Sequence, residues 1–345
     1  MSRRIVFVTQ QVDPGHPALA ATVPKLRALA ERVDEVVVLA DRAVPGTLPA
    51  NCRVRPFAAR RRAGRGLRFE AALARELVRR PLAIVAHMCP IYAVLAAPLA
   101  RPLGVPVLLW FTHWKASRML EAAERLSSRV ISVDRRSFPL ASGKVVPIGH
   151  GIDLSEFPCR TPPENGDLRA VALGRYSEAK GLPVVLRALR LALDSGLDAR
   201  LEVFGPALNP AERAHRAELE RLVAELDLGR RVRLGHAVLR AEVPEVLGRA
   251  DVLVNNMRAG APDKIVYEAA ASCVPVLASN PVFDDLLEEP FRFARDSPEE
   301  LAARLGEVAS LPAAERREVG AGLRARVAER HSVESWAERV LELAR

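Results

Sequence analysis

The sequence predicts an α/β protein made of two doubly wound domains, each a parallel sheet with helices on both faces. The chain has 345 residues, which is more than one compact core usually covers. Short, unbroken apolar runs rich in β-branched residues alternate with longer periodic stretches along most of the chain. Unbroken strands indicate sheets that are buried on both faces, and their alternation with helices indicates parallel βαβ units.

The first half of the chain contains six short apolar runs that we predict to be strands. They are IVFVT from Ile5, VVVLA from Val36, AIVAH from Ala83, VPVLLWF from Val105, RVISV from Arg129 and VVPIG from Val145. Between these runs, residues 17–33 and 69–80 repeat apolar side chains with the period of an amphipathic helix. The order of strands and helices predicts one parallel sheet.

The pattern breaks near residues 155–168 and then starts again. This segment is rich in proline and charge and has no clear period, which is typical of a linker or hinge. Five further strands are predicted: AVALGR from Ala170, LEVFG from Leu201, RVRLG from Arg231, DVLVNN from Asp251 and VPVLAS from Val274. The last predicted helix, residues 332–345, has an apolar face that includes Trp336 and needs a surface to cover.

Composition and charge narrow the class of protein. Nearly half of the residues are apolar and 27% are charged, as in ordinary globular proteins. The net charge of +9 suits anionic partners such as nucleotides or phospholipids, although a bias toward arginine codons explains it equally well. The four cysteines are widely scattered, so they suggest neither a zinc site nor a disulfide framework.

Neither a signal peptide nor a membrane-spanning segment is indicated. The apolar run near the N-terminus has five residues, too few for the core of a signal peptide. No apolar segment reaches the roughly 18 residues that a membrane-spanning helix needs. We therefore expect a cytoplasmic protein, and leave open a peripheral contact with the inner face of the membrane.

Two cations follow the first strand of the second half. Gly174 and Arg175 form the turn after this strand, and Lys180 precedes a helix. Two cations beside the positive N-terminus of a helix can hold a pyrophosphate group. An arginine and a lysine in a surface turn are also common as solvated side chains, so this motif alone leaves both interpretations open.

A second motif follows the strand at residues 251–256. A loop rich in glycine and proline leads into a helix, which the Asp263 side chain is expected to cap. The backbone N–H groups of Ile265 and Val266 would then face a ligand phosphate. Glu268 lies about one turn further along, where it either binds the vicinal hydroxyls of a ribose or forms an ordinary helix salt bridge.

These motifs resemble the nucleotide-sugar site of the family-4 retaining glycosyltransferases of GT-B fold, the glycosyl transferases group 1. The resemblance covers nearly the whole chain and is most specific in GRYSEAKGL, DKIVYEAAASCVPVLAS and VVPIGHGIDLSEF. It implies that Arg175 and Lys180 hold the donor diphosphate and that Glu268 binds the ribose. These three residues are the expected catalytic residues of the second half, and Gly174 is expected to contact the donor with them.

The resemblance also implies the domain bounds and the reaction. Residues 1–158 would form the N-terminal, acceptor-side domain, closed by the helix at about residues 332–345. Residues 159–331 would form the C-terminal domain, which binds the nucleotide sugar across a central cleft. The implied reaction is the retaining, metal-independent transfer of a sugar from a UDP-, GDP- or similar donor. The acceptor would be a hydroxyl of a glycan, a lipid-linked acceptor or a small molecule.

One position departs from the family pattern. The family signature has two glutamates separated by seven residues, and the position of the first one is Gly260 in this sequence. In the family, the first glutamate contacts hydroxyls of the transferred sugar. Recognition of the sugar is therefore expected to differ here, with Asp263 or Lys264 of the same loop taking over those contacts.

The first half supplies four more candidate site residues. His113 closes a buried strand, where a polar side chain faces a ligand more often than the core. The resemblance implies that His113 is a catalytic residue, which hydrogen-bonds a hydroxyl of the donor sugar or stabilises developing charge. Gly15, after the first strand, either approaches the donor phosphate or forms a plain surface turn. His16 and His87 are candidates for the acceptor side.

An arginine-rich segment lies between the second and third predicted strands. Residues 59–80 include eight arginines. A flexible basic loop followed by an amphipathic helix suits an anionic lipid surface or a phosphorylated acceptor, and a solvated arginine-rich loop is the alternative. Nucleic acid is not an expected partner, because no platform of aromatic side chains for stacking bases accompanies these charges.

The expected mechanism uses protein charges alone. The sequence contains no Asp-x-Asp motif, so neither a metal ion nor another cofactor is expected. Arg175, Lys180 and helix N-termini would supply positive charge for the leaving group. No carboxylate suggests a covalent glycosyl-enzyme, so front-face transfer is the hypothesis. Two alternatives stay open: an epimerase or hydrolase of the same fold, and a non-catalytic binding protein, which Gly260 would favour.

Overall fold

The protein forms two compact α/β units. The structure, a computed structural model, describes residues 3–16, 19–159 and 166–344. One unit comprises Met1–Asp153 together with Arg330–Arg345, and the other comprises Leu154–Glu329. Residues 160–165, in the middle of the predicted linker, lie outside the described part of the chain.

The first unit contains a seven-stranded sheet in which all neighbouring strands are parallel. Its strands are β1 (Arg4–Val12), β2 (Glu35–Ala43), β3 (Cys52–Pro56), β4 (Ile84–His87), β5 (Val107–Trp110), β6 (Arg129–Ser132) and β7 (Val145–Pro147). They lie in the order β3-β2-β1-β4-β5-β6-β7. The first helices of the chain are α1 (Thr22–Ala30), α2 (Arg62–Leu77), α3 (Pro90–Ala100) and α4 (Arg118–Leu126). The central strands are buried, as their unbroken apolar runs predict.

No feature of the sequence predicts β3, which forms one edge of this sheet. Its residues are half-buried or exposed, so no apolar run marks it. Arg53 on β3 pairs with Glu35 on β2 at 2.8 Å and with Glu76 on α2 at 2.7 Å. Charged side chains are common on edge strands because they discourage pairing with another chain. Here they also attach the strand to its neighbours.

Two helices differ from their predicted bounds. α2 begins at Arg62, so most of the predicted flexible basic loop is the first part of the helix. α1 is shorter than the predicted stretch 17–33, whose residues 17 and 18 lie outside the described part of the chain. Periodicity locates a helix more reliably than its ends, because several residues at each end satisfy their backbone groups in other ways.

The second unit contains a five-stranded parallel sheet. Its strands are β8 (Leu168–Leu173), β9 (Ala199–Phe204), β10 (Val232–Leu234), β11 (Val252–Asn255) and β12 (Val276–Ala278), in the order β10-β9-β8-β11-β12. The helices are α5 (Leu182–Asp194), α6 (Pro210–Glu225), α7 (Val243–Gly248), α8 (Lys264–Ala271), α9 (Pro298–Ser310) and α10 (Ala313–His331). Each of these five strands coincides with a predicted one. The predicted class of two doubly wound parallel sheets is confirmed.

The last helix, α11 (Val333–Glu342), belongs to the first unit and packs on α1. Trp336 is fully buried, with its ring centroid 6.4 Å from Phe7 and 5.6 Å from Trp110. The ammonium group of Lys25 on α1 lies 5.3 Å from the Trp110 ring and 5.7 Å from the Trp336 ring. Aromatic faces attract a desolvated cation. The apolar face of α11 therefore covers a core that includes a buried lysine.

Cys159 and Cys273 form a disulfide bond, contrary to the expectation that the scattered cysteines indicate no disulfide framework. That expectation rested on spacing along the chain, whereas the fold brings together two residues 114 positions apart. Their Cα atoms lie 5.0 Å apart, which is within the usual range for disulfides. The bond joins the start of the second unit to the turn after α8. Cys52 and Cys89 are free thiols.

We predict that replacing both Cys159 and Cys273 with serine destabilises the oxidised protein by about 3–5 kcal/mol, because the bond restricts a long loop of the unfolded chain. Urea unfolding under oxidising conditions measures the change. Cys52→Ser is the control, since Cys52 is a half-buried free thiol. Thiol titration of the unfolded, unreduced protein checks the pairing independently: four reactive thiols instead of two would show that the bond does not form.

Candidate functional site

The turn after β8 depends on glycine. Gly174 has a φ of +136°, and a Cβ at this position would lie 2.3 Å from Lys180 Nζ. A Cβ on Gly205, which follows β9, would lie 1.8 Å from the carbonyl oxygen of Gly174. At Gly205 the backbone leaves no room for a side chain, and at Gly174 the positive φ would strain any other residue, whose Cβ would also displace the Lys180 ammonium group. The ends of β8 and β9 therefore approach closely, and the Lys180 ammonium group lies directly against the backbone.

Lys180 connects the two motifs of the second half. Its Nζ donates a hydrogen bond to the carbonyl oxygen of Leu173, the last residue of β8, at 3.0 Å. The same Nζ forms an ion pair with Asp263 Oδ2, and Asn255 Nδ2 donates to that oxygen at 2.8 Å. Because neighbouring parallel strands end at the same edge, β8 and β11 bring these three polar side chains together.

Asp263 does not cap α8 with its side chain, so this expectation was wrong. Its carboxylate bonds to Lys180 and Asn255 instead, and the side chain accepts no hydrogen bond from the described N-terminus of α8. The carbonyl oxygen of Asp263 accepts the N–H of Val266 at 3.2 Å. Ile265 and Val266 lie in the first turn with buried side chains. A phosphate that binds the Val266 N–H would have to replace this bond.

Arg175 forms an ion pair with a different carboxylate from the one that binds Lys180. Its guanidinium pairs with Glu212 Oε1 on α6 at 3.0 Å, and its side chain is 58% exposed. Glu212 is buried and also accepts the backbone N–H of Leu208 at 2.7 Å. Each of the two predicted diphosphate-binding cations therefore has its own carboxylate partner in this structure.

Glu268 is a buried carboxylate held by two cations. Its side chain is 4% exposed, and its Oε1 accepts from Lys264 Nζ, one helical turn earlier, at 2.7 Å. Arg240 forms a second ion pair with the same oxygen. The helix salt bridge that the sequence left as the alternative is therefore present, but it is only part of the environment of this carboxylate.

Arg240 is a residue that the sequence analysis missed. It begins a 3-10 turn, Arg240–Glu242, in a stretch that no motif marks. Its Nη2 donates to Glu156 Oε2 at 2.8 Å, and its guanidinium lies 5.1 Å from the centroid of the Phe157 ring. Burial alone would lower the pKa of Arg240, but the charges of Glu268 and Glu156 raise it more, so the net shift is upward.

The loop before α8 contains Gly260, the position at which the sequence departs from the family signature. Gly260 has a φ of +119°, a backbone conformation that side-chain-bearing residues rarely adopt. Asn280 Nδ2 supports the loop from the next strand end, with contacts of 3.5 Å to the carbonyl oxygens of both Gly260 and Ala261. A glutamate at position 260 would therefore strain this loop.

Tyr176 and Asn256 also shape the edge of this sheet, although neither is among the residues predicted from the sequence. The Tyr176 hydroxyl donates to the carbonyl oxygen of Gly235 at 2.7 Å, and burial raises its pKa to about 12. Asn256 Nδ2 donates to the carbonyl oxygen of Gly181 at 2.9 Å. The available signal was a pair of asparagines, Asn255 and Asn256, directly after a buried apolar strand.

Two cavities lie at this edge of the sheet. One has a volume of about 10 Å³, enough for a single water molecule, and is lined by residues that include Gly174, Lys180 and Asn255. The other has about 560 Å³ and opens where β9 and β10 end, beside Pro206 and His236. Over the described ranges, no three or more His, Cys, Asp or Glu side chains form a group suited to a metal ion.

Three histidines of the first unit lie at the C-terminal edge of its sheet. His16 follows β1, His87 ends β4 and His113 follows β5, and these three strands are neighbours. His113 Nδ1 accepts the backbone N–H of Lys115 at 2.9 Å, and its ring stacks on Trp114 at a centroid distance of 5.3 Å. A neutral His113 ring therefore carries its proton on Nε2, where it is a hydrogen-bond donor.

His87 lies in the core, which does not support its expected place on the acceptor side. Its ring is 5% exposed and stacks with Trp110 at a centroid distance of 6.3 Å. Its Nδ1 lies 3.5 Å from Thr9 Oγ1. Burial, assisted by the charge of Lys25, holds the pKa of His87 well below its ordinary value. His87 is therefore neutral in the folded protein.

Gly15 and His16 lie in the turn after β1. Gly15 is exposed, and its N–H donates to Asp13 Oδ1 at 2.8 Å. A Cβ on Gly15 would approach that oxygen only to 3.4 Å, so the turn does not require glycine. His16 Nδ1 accepts the N–H of Leu19 at 3.0 Å. These contacts favour the surface-turn interpretation of this segment.

The chain resembles known glycosyltransferases in part of its sequence and in its fold. Residues 157–326 match the sequence profile of the family glycosyl transferases group 1. The structure is similar to that of HepE from Anabaena in complex with UDP, with 18% identity, a TM-score of 0.77 and 99% of both chains covered. Comparison of the sequence with curated proteins gives no match.

Two further solved structures are similar over 99% of this chain and 98% of theirs. Sucrose-phosphate synthase from Thermosynechococcus elongatus has 16% identity and a TM-score of 0.75. A glycosyltransferase from Rickettsia africae has 13% identity and a TM-score of 0.76. The two units therefore have the fold of GT-B glycosyltransferases. The match of residues 157–326 falls in the second unit, and it is to the same family that the motifs resemble.

We predict that the free energy of unfolding of the first unit falls as the pH is lowered from about 7 to about 5, by up to about 1.4 kcal/mol per pH unit for one neutral buried histidine. His87 stays unprotonated when folded because its pKa is lowered, whereas in the unfolded chain it binds a proton near the ordinary histidine pKa of 6.5. Protonation therefore favours the unfolded chain. His87→Asn should reduce this pH dependence.

Tryptophan fluorescence during urea unfolding measures this effect, because all three tryptophans of the chain lie in the first unit. His236→Asn, at an exposed position of the second unit, is the control and should leave the pH dependence unchanged. Equal pH dependence in the wild type and in His87→Asn would contradict the assignment of His87 as a neutral core histidine.

Proposed function

We propose that this protein is a retaining, metal-independent glycosyltransferase of the hexosyltransferase type, which moves a sugar from a nucleotide-diphosphate donor to an acceptor hydroxyl. The observation that supports this most is the cluster of Lys180, Asp263, Lys264 and Glu268 at one edge of a group 1 glycosyl transferase unit. HepE, which is similar in fold, binds UDP and UDP-glucose in its crystal structures. This supports a UDP-, GDP- or similar sugar as the donor.

The diphosphate would exchange with the carboxylates that now hold the two cations. Lys180 pairs with Asp263 and Arg175 with Glu212, and a diphosphate offers each cation a more strongly charged partner. The released positive charge would then stabilise the leaving diphosphate as the bond to the sugar breaks. Glu268 would accept hydrogen bonds from the ribose hydroxyls.

The transfer itself would proceed on one face of the sugar. The leaving phosphate would take the proton of the acceptor hydroxyl, which forms its new bond to the anomeric carbon on the side that the phosphate leaves. The configuration would therefore be retained, with no covalent glycosyl-enzyme and no cofactor. The Nε2 proton of His113 would serve as a hydrogen-bond donor to a hydroxyl of the donor sugar.

Two other functions are distinguished by simple assays. A nucleotide-sugar hydrolase or epimerase of the same fold would convert the donor without any acceptor. A non-catalytic binding protein would show no turnover, and the glycine at position 260 is the feature that favours it. Glycan, lipid-linked and small-molecule acceptors are the classes to screen, once thermal shift has identified a nucleotide that stabilises the protein.

We predict that Lys180→Ala and Glu268→Ala each reduce sugar transfer by about a hundredfold or more while the protein stays folded, because each removes contacts to the donor. Product formation from a radiolabelled nucleotide sugar measures the loss. Arg304→Ala is the control, because it removes an arginine of α9 that forms an ion pair with Glu289. Full activity in Lys180→Ala and Glu268→Ala would contradict the proposal.

Proton NMR of the product linkage tests retention, and activity in excess EDTA tests metal independence.

We also propose that α2 contacts an anionic phospholipid surface. Leu67 and Val78 are 68% and 82% exposed, although both are large and apolar. They lie on an exposed apolar stripe with the spacing of one helix face, formed by Ala63, Leu67, Ala71, Ala74 and Val78. Exposed arginines flank this stripe, among them Arg68, Arg75 and Arg79.

The opposite face of α2 faces the core of the first unit. Phe69, Leu73 and Leu77 are buried there, so the exposed stripe is not required for folding of the helix against its sheet. Apolar side chains flanked by cations suit the interfacial region of an anionic bilayer. Within the described part of the chain, no helix is long and apolar enough to cross a membrane. The proposed contact is peripheral.

We predict that the protein sediments with vesicles of phosphatidylglycerol but not with vesicles of phosphatidylcholine. Replacing Leu67 and Val78 with serine should weaken this binding by about tenfold, and Arg75→Gln with Arg79→Gln should weaken it by a similar factor. Arg213→Gln with Arg221→Gln removes the same charge from exposed positions of the second unit and is the control. Equal binding by all variants would show that α2 is only a solvated basic surface.

A further inference from the structure

The second unit begins with a short segment, residues 154–159, that we call the connector. It follows directly on Asp153, the last residue of the first unit before the chain enters the second one. The connector is joined to α8 and the turn after it by three independent contacts. One is the disulfide bond between Cys159 and Cys273.

The second contact is a set of hydrogen bonds from one arginine. Arg324 on α10 donates to the carbonyl oxygens of Leu154 and Phe157 in the connector and to that of Ala271 at the end of α8. The third contact is made by Arg240, whose guanidinium bridges Glu156 of the connector and Glu268 of α8. Of the three contacts, only the third involves a side chain that is predicted to bind the nucleotide, namely Glu268.

Arg240 covers the carboxylate that the ribose would need. The Glu268 side chain is 4% exposed, whereas that of Arg240 is 23% exposed. Two ribose hydroxyls can reach a carboxylate this deeply covered only if a covering group moves. Lys264 lies one turn away on the same helix as Glu268 and so moves with it. Arg240 belongs to a separate 3-10 turn, and it keeps a second carboxylate partner, Glu156, if it leaves Glu268.

We propose that Arg240 is a further residue of the nucleotide site, where it competes with the ribose for Glu268. The inference rests on the proposed function, because it takes Glu268 as the ribose-binding residue. Without nucleotide, the Arg240 guanidinium bridges Glu268 and Glu156. With nucleotide, it stays paired with Glu156 and packed over Phe157, which lies 5.1 Å from it. Glu156 therefore favours the bound state, although it need not touch the nucleotide.

This competition gives two substitutions opposite effects on affinity. Arg240→Met removes the competitor, so a nucleoside diphosphate should bind more tightly, by about fivefold. Glu156→Gln removes the partner that Arg240 keeps in the bound state, so Arg240 stays on Glu268 and the affinity should fall by about fivefold. In the double variant, Glu156→Gln should have no further effect, because it acts only through Arg240.

Isothermal titration calorimetry with UDP and with GDP, in the absence of acceptor, measures these affinities. The control is a similar bridge elsewhere in the second unit, where Arg304 pairs with Glu289 at 2.7 Å and with Glu307 at 2.9 Å. Arg304→Met and Glu289→Gln should change the affinity by less than about twofold. Thermal unfolding confirms that each variant is folded, and Arg240→Gln replaces Arg240→Met if the latter is not.

The outcomes separate this inference from the proposed function. Weaker binding in both Arg240→Met and Glu156→Gln would show that Arg240 orients Glu268 instead of competing for it, and unchanged binding in both would show that the bridge is structural. Either result overturns the inference while the proposed function stands, provided that Lys180→Ala abolishes binding. If the wild-type protein binds neither UDP, GDP nor any other nucleoside diphosphate, both the proposed function and the inference are overturned.

Discussion

The ion pair between Lys180 and Asp263 joins two sequence motifs that are 83 residues apart, and it holds the loop before α8 against the end of β8. The pair forms because β8 and β11 are parallel neighbours that end at the same edge. It also needs Gly174, since any side chain there would occupy the space of the Lys180 ammonium group. Because the Asp263 carboxylate bonds to Lys180 and Asn255, it does not cap α8. The backbone N–H of Val266 bonds to the carbonyl oxygen of Asp263 instead.

Buried strands are the part of this fold that sequence reasoning predicts best. A strand with both faces covered must be apolar throughout, and every strand with such a run was predicted. β3 was missed because an edge strand needs apolar side chains on neither face, and ion pairs of Arg53 attach it instead. The disulfide was missed for a different reason: Cys159 and Cys273 are neighbours only in the folded chain.

The positions of the site residues follow from strand ends, but their partners do not. The sequence places Arg175 and Lys180 after one strand and Glu268 after another. It does not show that Arg175 forms an ion pair with Glu212 or that Glu268 forms one with Arg240. Those partners come from α6 and from a 3-10 turn, which no motif connects to the site. A buried charge needs a counter-charge, so sequence reasoning indicates that a partner exists without identifying it. His87 shows that a strand end does not guarantee a place in the site, because this histidine ends β4 but is covered by the aromatic ring of Trp110.

Under the proposed function, the left-handed backbone at Gly260 limits how the donor preference of this protein can change. At a φ of +119°, the loop has a shape that only glycine adopts easily, and Asn280 supports that shape from the neighbouring strand end. Gly260→Glu would thus add the carboxylate of the family signature, but it would strain the loop that would have to present that carboxylate. Under the proposed function, a different sugar specificity would require the loop around Gly260 and its support Asn280 to change together, in engineering and in natural divergence alike.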